Sequence, residues 1–113
     1  KLIKNVEFKH SDFNQSLKNI NPGDFVYLDP PYAPENINSF VKYVADGFDL
    51  KTHNLLFKKI KKLDKANFMM SNSNVDLVKD NFKEYKCQEI IARRAINSKD
   101  PSATAKEIII CNY

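Results

Sequence analysis

The stretch Phe25-Val26-Tyr27-Leu28-Asp29-Pro30-Pro31-Tyr32 contains the strongest fold signal in the chain. Its first four residues form a continuous apolar run between Gly23 and Pro30, which is typical of a strand buried on both faces in a parallel sheet. The two prolines then end the strand, because each fixes φ near about −65° and lacks the backbone N–H that a sheet requires. We therefore predict a buried strand over residues 25–28 that leads into a rigid turn.

Strand and helix patterns alternate on both sides of this run. Residues 6–8 are typical of a short strand, and Ser11 or Asp12 of the cap of a helix that ends near residue 20. The other predicted elements are a helix over residues 50–63 capped by Asp49, a strand over residues 67–70, a helix from residue 74 or 76 to residue 81 or 82, and strands over residues 86–92 and 107–113. This order predicts an α/β fold with a mostly parallel sheet and a final antiparallel strand.

Length and composition set the limits of this fold. The chain has 113 residues, of which 42% are hydrophobic and 28% charged, as expected for one small globular domain. No apolar run approaches the roughly 20 residues that cross a bilayer, and Cys87 and Cys111 fit buried thiols in a reducing compartment. We therefore expect a cytoplasmic protein without a membrane partner. The formal charge of +4 is a weak indication of a polyanionic partner.

Polar and aromatic residues follow the predicted strands, in the segments 10–13, 29–32, 71–74 and 93–94. Ligands bind beyond the carboxyl ends of parallel strands, so we expect these segments to converge on one edge of the sheet. His10 and His53 lack the paired spacing of metal ligands, and we assign neither a catalytic role and expect no metal site.

Asp29-Pro30-Pro31-Tyr32 is suited to hold a planar amine. Two consecutive prolines leave carbonyl oxygens without local N–H donors, and the Asp29 carboxylate supplies a further acceptor beside them. Two acceptors can hold both N–H bonds of an exocyclic amine on a nucleobase while the Tyr32 ring stacks on the base. These two hydrogen bonds free the nitrogen lone pair for attack, and the carboxylate stabilises the positive charge that develops on the nitrogen. The alternative is an ordinary strand-ending turn.

The stretch VYLDPPYAP, residues 26–34, resembles the catalytic motif of the Dam-like DNA adenine methyltransferases. Further segments resemble this family in the same order: FKHSDF at residues 8–13, an FxxY…F loop at residues 39–48, FMMSNSN at residues 68–74 and the closing segment from residue 93. The resemblance implies a partial class I methyltransferase sheet with a Rossmann-like fold. It also implies methyl transfer from S-adenosylmethionine to the exocyclic amine of adenine in double-stranded DNA, as in restriction–modification. The closing segment is most similar to that of relatives that modify GATC sites.

The resemblance implies that Asp29, Pro30, Pro31 and Tyr32 are catalytic and that Asp12, Phe13 and Asp29 bind the cofactor. Nucleic-acid contacts are expected from Tyr32, Ser39 and Tyr43, and also from Arg93, Arg94, Asn97 and Ser98, which form a suitable set for phosphate and base-edge contacts. Each group has a plainer alternative. Asp12 could cap the following helix, Ser39 and Tyr43 could anchor a hydrophobic loop, and the arginines could pair with nearby acids.

Two parts of the family pattern are not in this sequence. The family has a Phe-x-Gly-x-Gly loop for the methionine end of the cofactor and a target-recognition domain before the catalytic motif, whereas the only glycines here are Gly23 and Gly47. We therefore expect residues 1–113 to be the C-terminal part of a methyltransferase catalytic domain, a truncated form whose N-terminal half is missing. An RNA guanine amino-methyltransferase and a non-catalytic nucleic-acid-binding fragment are the alternative functions, and the oligomeric state stays open.

Overall fold

The computed structural model describes residues 2–36, 38, 47–93 and 104–113. In chain order the elements are α1 (Phe13–Lys18), β1 (Phe25–Leu28), α2 (Leu50–Ile60), β2 (Asn67–Ser73), α3 (Asp76–Phe82), β3 (Lys86–Arg93) and β4 (Thr104–Cys111). The predicted α/β class is therefore confirmed. None of the helices within these ranges has the length and hydrophobicity that a bilayer-spanning segment requires.

The four strands form one sheet in the order β1-β2-β4-β3. β1 pairs with β2 in parallel, whereas β4 pairs antiparallel with both β2 and β3. The sheet is therefore mixed: β1, β2 and β3 run in one direction and β4 runs antiparallel to them, which agrees with the prediction of parallel strands closed by a final antiparallel strand. A parallel crossover needs a dozen or more residues, and α2 provides one between β1 and β2. Only ten residues separate β3 from β4, so these two strands pair antiparallel and β4 takes the place beside β2.

The predicted strand at residues 6–8 does not form. Val6 and Phe8 are exposed by 51% and 78%, and the Val6 N–H donates to the Ile3 carbonyl at 3.1 Å instead of to a strand. An extended segment is stable as a strand only when a neighbour satisfies its backbone groups. Within the described ranges the strands of the sheet pair only with one another, so this segment stays outside it.

The edge strands are more exposed than the sequence predicts. In β1, Phe25 and Tyr27 are each 59% exposed while Val26 and Leu28 pack against the core, so the strand is buried on one face and not on both. In β3, Cys87 is exposed, which contradicts the prediction of a buried thiol; Cys111 in β4 is half-buried, and both cysteines are free. An apolar run therefore identified β1 as a strand but did not reveal that it lies at the edge of the described sheet.

The core lies between one face of the sheet and the helices α2 and α3. Its fully buried side chains are Leu56, Phe57 and Ile60 of α2, Val78 and Phe82 of α3, Phe68 and Met70 of β2, and Ile108 and Ile110 of β4. The rings of Phe57 and Phe82 meet edge to face at 5.1 Å. Asp49 begins α2 by accepting from the Thr52 N–H at 2.8 Å, which confirms the predicted cap. This packing fixes α2 beside the turn that follows β1.

Candidate active site

The Asp-Pro-Pro-Tyr turn, residues 29–32, lies at the carboxyl edge of the sheet, where β1 and β2 end and β4 begins. Leu28 is the last residue of β1 and pairs with Met70, which places Asp29 next to Ser71 of β2. The Ser71 hydroxyl donates to Asp29 Oδ1 at 2.8 Å. Since a serine hydroxyl has one hydrogen, the Tyr27 hydroxyl, 3.3 Å from Ser71 Oγ, is then the donor in that contact. Asp29 is thus held in place by a chain of two hydroxyl groups.

The end of β2 also holds the residue that follows the turn. Asn72 is fully buried, and its Oδ1 accepts from the Ala33 N–H at 3.0 Å and from the Ser73 N–H at 2.8 Å. The Ser73 hydroxyl bonds the Ala33 carbonyl. Both backbone groups of Ala33 are therefore satisfied by β2, which fixes the exit of the turn in place of the N–H groups that prolines lack.

Tyr32 lies half-buried over the first residues of β4. Its hydroxyl donates to Glu107 Oε2 at 3.2 Å. Burial raises the pKa of Tyr32, and the negative charge and hydrogen bond of Glu107 raise it further, while the polarity of the nearby Ser71 hydroxyl acts in the opposite direction. The phenol therefore stays neutral at physiological pH, and Tyr32 offers an aromatic ring whose position is fixed at its far end.

His53 in α2 contacts the turn from the side of the core. It is 1% exposed, and its Nε2 lies 3.1 Å from the Pro31 carbonyl oxygen, 22 residues away in sequence. Its Nδ1 lies 3.0 Å from the carbonyl oxygen of Asp49. No catalytic role was predicted for this histidine, so its contact with the turn is a finding of the structure.

Asp12 and Phe13 lie on the same side of the molecule as the turn, connected to it by a row of rings. Phe13 meets Phe48 at 6.0 Å between ring centroids, and Phe48 meets His53 edge to face at 4.6 Å. Asp12 is exposed, and its Oδ1 accepts from the Asn14 N–H at 2.7 Å as the N-cap of α1. The capping alternative for Asp12 is therefore observed. Its neighbour in sequence, Phe13, has a half-buried ring, and a carboxylate with an aromatic ring is a set of groups that suits the amine and face of a purine.

Arg93 is the last residue of β3 and is exposed. The β3–β4 pairing extends to Arg93 and Thr104, three pairs past Glu107, where the pairing of β4 with β2 ends. At about 3.4 Å per residue this hairpin projects roughly 10 Å beyond the end of β2 at the carboxyl edge. The other predicted nucleic-acid contacts, Ser39, Tyr43, Arg94, Asn97 and Ser98, lie outside the described residues.

Chemically, the turn presents a carboxylate, prolyl carbonyls and an aromatic ring on a rigid support. This arrangement can accept two hydrogen bonds from a planar amine and stack on the ring that carries it. Within the described ranges, no three His, Cys, Asp or Glu side chains group closely enough to hold a metal ion.

Comparison with known proteins identifies the family that has this arrangement. The family model of the D12 class N6 adenine-specific DNA methyltransferases matches residues 1–96, which include the turn, His53 and the end of β2. The chain belongs to this family. The resemblance to DNA adenine methyltransferases found in the sequence is thereby confirmed.

Individual relatives agree with the D12 family assignment. The chain is 33% identical over 112 residues to the type II methyltransferase M1.LlaDCHI of Lactococcus lactis subsp. cremoris, which covers 96% of this chain and 39% of the relative. It is 36% identical over 119 residues to the type II methyltransferase M.MjaIII of Methanocaldococcus jannaschii, and this match covers 100% of the chain and 41% of the relative. The chain is also 30% identical over 102 residues to the retron Ec67 DNA adenine methylase of Escherichia coli, and this match covers 88% of the chain and 34% of the relative. The chain thus spans about two fifths of the length of the curated relatives it matches.

Four residues that hold the turn of this D12 family member were not among the predicted site residues: His53, Ser71, Asn72 and Glu107. Ser71 and Asn72 had a signal, since they belong to the FMMSNSN segment, but the predicted strand stopped at residue 70 and left them in a loop. Glu107 reaches the site only because Ser73 pairs with it across β2 and β4. His53 had no local signal, because nothing in an amphipathic helix indicates which distant carbonyl one buried ring will contact.

Proposed function

We propose that this chain carries the catalytic residues of an S-adenosylmethionine-dependent DNA adenine methyltransferase that acts on the exocyclic amine of adenine. The observation that supports this most is the Asp29 carboxylate, held by Ser71 at 2.8 Å, on the same rigid turn as the Pro30 carbonyl and the Tyr32 ring. Membership of the D12 family supports the same activity. An ordinary strand-ending turn has no need for a carboxylate fixed by a buried strand.

The chemistry follows from these groups. The adenine must leave the duplex, because its amine is otherwise engaged in base pairing. The flipped base stacks on Tyr32, and its two N–H bonds point to the Asp29 carboxylate and the Pro30 carbonyl. When bound, S-adenosylmethionine supplies the methyl group. The Asp29 carboxylate stabilises the positive charge that develops on the amine nitrogen and does not need to remove a proton first.

Asp12 and Phe13 are our candidates for the cofactor's adenine, since an exposed carboxylate and a half-buried ring lie side by side near the turn. Gly23 and Gly47 do not form the glycine loop expected for the methionine end. We infer that the chain supplies the C-terminal, catalytic part of the domain and works with a segment that contributes this loop and the target-recognition domain. The shared length of about two fifths with the relatives supports this division.

Double-stranded DNA is the proposed partner. Arg93 on the projecting hairpin, followed in sequence by Arg94, Asn97 and Ser98, supports phosphate and base-edge contacts, and Ser39 and Tyr43 are proposed contacts that precede α2 in the sequence. The likeness of the closing segment to GATC-modifying relatives suggests GATC as the target. Two relatives are named type II methyltransferases, which supports a role in restriction–modification in the cytoplasm.

Methyl transfer from labelled S-adenosylmethionine to adenine-containing duplex DNA tests this function, in an enzyme that joins the chain to a cofactor-binding segment. Asp29→Ala is expected to abolish transfer, while the exposed Asp64→Ala, at the opposite end of β2, is expected to leave it near the wild-type rate. More than a few per cent of activity in Asp29→Ala contradicts the proposal. Faster transfer to structured RNA than to duplex DNA would instead favour the guanine amino-methyltransferase.

A further inference from the structure

His53 is the one buried imidazole of the described chain, and it is aimed at the turn. It lies in the first turns of α2, four residues after the capping Asp49, and it is 1% exposed. The edge-to-face contact with Phe48 at 4.6 Å and the contact with Phe57 at 6.0 Å, with an interplanar angle of 74°, hold the ring from two sides. A ring packed in this way has few alternative orientations, so the direction of its Nε2 is fixed.

The surroundings of the two ring nitrogens indicate which one donates. Nδ1 lies 3.0 Å from the Asp49 carbonyl, and this oxygen already accepts the backbone N–H of His53 at 3.0 Å. Nε2 lies 3.1 Å from the Pro31 carbonyl, which accepts no other hydrogen bond from the described residues. A neutral imidazole has one N–H. With the proton on Nε2, the Pro31 carbonyl gains a donor that no other described residue provides, whereas the Asp49 carbonyl already has one from the backbone, so we assign the N–H to Nε2.

This hydrogen bond distinguishes the two prolyl carbonyls of the turn. The Ala33 N–H, which in an ordinary turn would donate to the Pro30 carbonyl, donates to Asn72 Oδ1 instead, so no turn hydrogen bond of this kind fixes the peptide planes. The Pro31 carbonyl is fixed by His53 from the side of the core. Among the described residues none donates to the Pro30 carbonyl, which therefore stays available beside the Asp29 carboxylate.

We propose that His53 is a positioning residue that binds the Pro31 carbonyl and thereby leaves the Pro30 carbonyl and the Asp29 carboxylate as the two acceptors for the target amine. This inference rests on the proposed methyl transfer for its consequence in catalysis, but its structural part stands separately. Together with Asn72, which accepts from the Ala33 N–H at 3.0 Å, His53 holds the backbone of the turn immediately before and after Tyr32. Loss of the histidine donor releases the turn while the rest of the sheet stays intact.

Two substitutions of similar polarity test this assignment. His53→Gln can place an amide N–H near the position of Nε2, whereas the shorter side chain of His53→Asn reaches only the position of Nδ1. Hydrogen exchange of individual backbone amides, measured by NMR on the 113-residue chain, reports the turn through the Ala33 N–H and the core of the sheet through the Met70 N–H. We expect exchange at Ala33 to be at least tenfold faster in His53→Asn and within threefold of wild type in His53→Gln, with Met70 unchanged in both.

Several results would overturn the assignment. Exchange at Ala33 that is unchanged in His53→Asn, or equally fast in both variants, excludes positioning through Nε2. Equal acceleration at Ala33 and Met70 in His53→Asn indicates a role in overall stability only.

Methyl transfer assays on the same pair, in the enzyme that includes the cofactor-binding segment, measure the catalytic consequence. We expect kcat to fall tenfold or more in His53→Asn with KM for DNA changed less than threefold, and both constants to stay within threefold in His53→Gln. If kcat is unchanged in His53→Asn, the catalytic part of the proposal is wrong. If Asp29→Ala keeps its activity, the proposed function fails while the exchange results for His53 still stand.

Discussion

The hydroxyl of Tyr32 donates to Glu107 Oε2 across 3.2 Å, which joins the turn after β1 to the strand that lies two places away in the sheet. Glu107 belongs to β4, and it comes to this position because it pairs with Ser73 at the end of β2. The hydrogen bond fixes the far end of the Tyr32 ring and does not involve the ring face, for which we propose stacking on a base. The Tyr32 hydroxyl is therefore used to hold the side chain in place, and the aromatic ring face is not used in this contact.

Replacing Tyr32 should show that the ring matters more than the hydroxyl. Stacking of a base on an aromatic side chain contributes about 1–3 kcal/mol, so Tyr32→Ala is expected to lower kcat/KM for DNA by roughly tenfold or more. A typical hydrogen bond contributes about 0.5–1.5 kcal/mol, so Tyr32→Phe is expected to cost about two- to tenfold. Steady-state methyl transfer with both variants measures this difference. Equal losses in the two variants would contradict a stacking role.

The raised pKa of Tyr32 predicts a dependence on alkaline pH. Burial, and then Glu107, disfavour the phenolate, so the folded chain holds this proton above the ordinary pKa of 10.0. Because the folded pKa lies above the unfolded one, the stabilisation is complete below about pH 10 and is lost as the pH rises through the folded pKa. The ultraviolet absorbance of phenolate, taken as wild type minus Tyr32→Phe, measures this titration.

Glu107→Gln provides the control for that titration. The substitution keeps an acceptor for the Tyr32 hydroxyl but removes the negative charge, so the pKa of Tyr32 should fall toward its ordinary value. A titration that Glu107→Gln leaves unchanged would show that burial alone causes the shift.

Asn72 is expected to contribute more to stability than any exposed asparagine. Its Oδ1 accepts from two backbone N–H groups, of Ala33 and Ser73, in a fully buried position. Asn72→Ala leaves these donors without their partner, which should lower the free energy of unfolding by about 1–3 kcal/mol. Asn54→Ala on the exposed face of α2 is the matched control and should change it by less than about 0.5 kcal/mol. Urea denaturation of both variants makes the comparison, and similar midpoints would refute it.

The parts of this fold that the sequence predicted are those with local causes. The apolar run of β1 ends at Pro30, and the Asp49 side chain caps α2 three residues before Thr52, so both boundaries depend on neighbours in the chain. The insertion of β4 between β2 and β3 depends on pairing between distant segments, which no local pattern encodes. The position of β4 within the sheet was therefore not predicted, although each of the four strands and the antiparallel direction of the last one were.

The candidate site divides in the same way. The turn from Asp29 to Tyr32 is a local motif whose chemistry can be inferred from four residues. The side chains that hold the turn are distant in sequence: Ser71 is 42 residues from Asp29, Glu107 is 75 from Tyr32, and His53 is 22 from Pro31. Each of these contacts depends on strand register or helix packing. Sequence patterns thus indicate the proposed substrate contacts more readily than the groups that hold them in position.

The 113-residue chain alone is expected to bind S-adenosylmethionine weakly at most and to show no measurable methyl transfer. In doubly wound folds the cofactor depends on a glycine loop whose backbone approaches it closely. Gly23, with φ +87°, lies in the turn before β1, at the end of that strand opposite to Asp29, and Gly47, with φ +73°, lies shortly before α2. Gly23 therefore lies at the opposite edge and Gly47 has no second glycine near it in the sequence, so the two do not form such a loop, which leaves Asp12 and Phe13 as the proposed contacts.

Calorimetric titration of S-adenosylmethionine into the chain measures this affinity. The variant Asp12→Ala should abolish any weak binding that the wild-type chain shows. Micromolar affinity in the wild-type chain would show that another segment replaces the glycine loop. Binding that Asp12→Ala leaves unchanged would remove Asp12 from the cofactor site and leave it only as the cap of α1. Absence of binding, with transfer restored when a segment that carries the glycine loop is added, would establish the chain as the catalytic half of a divided cofactor site.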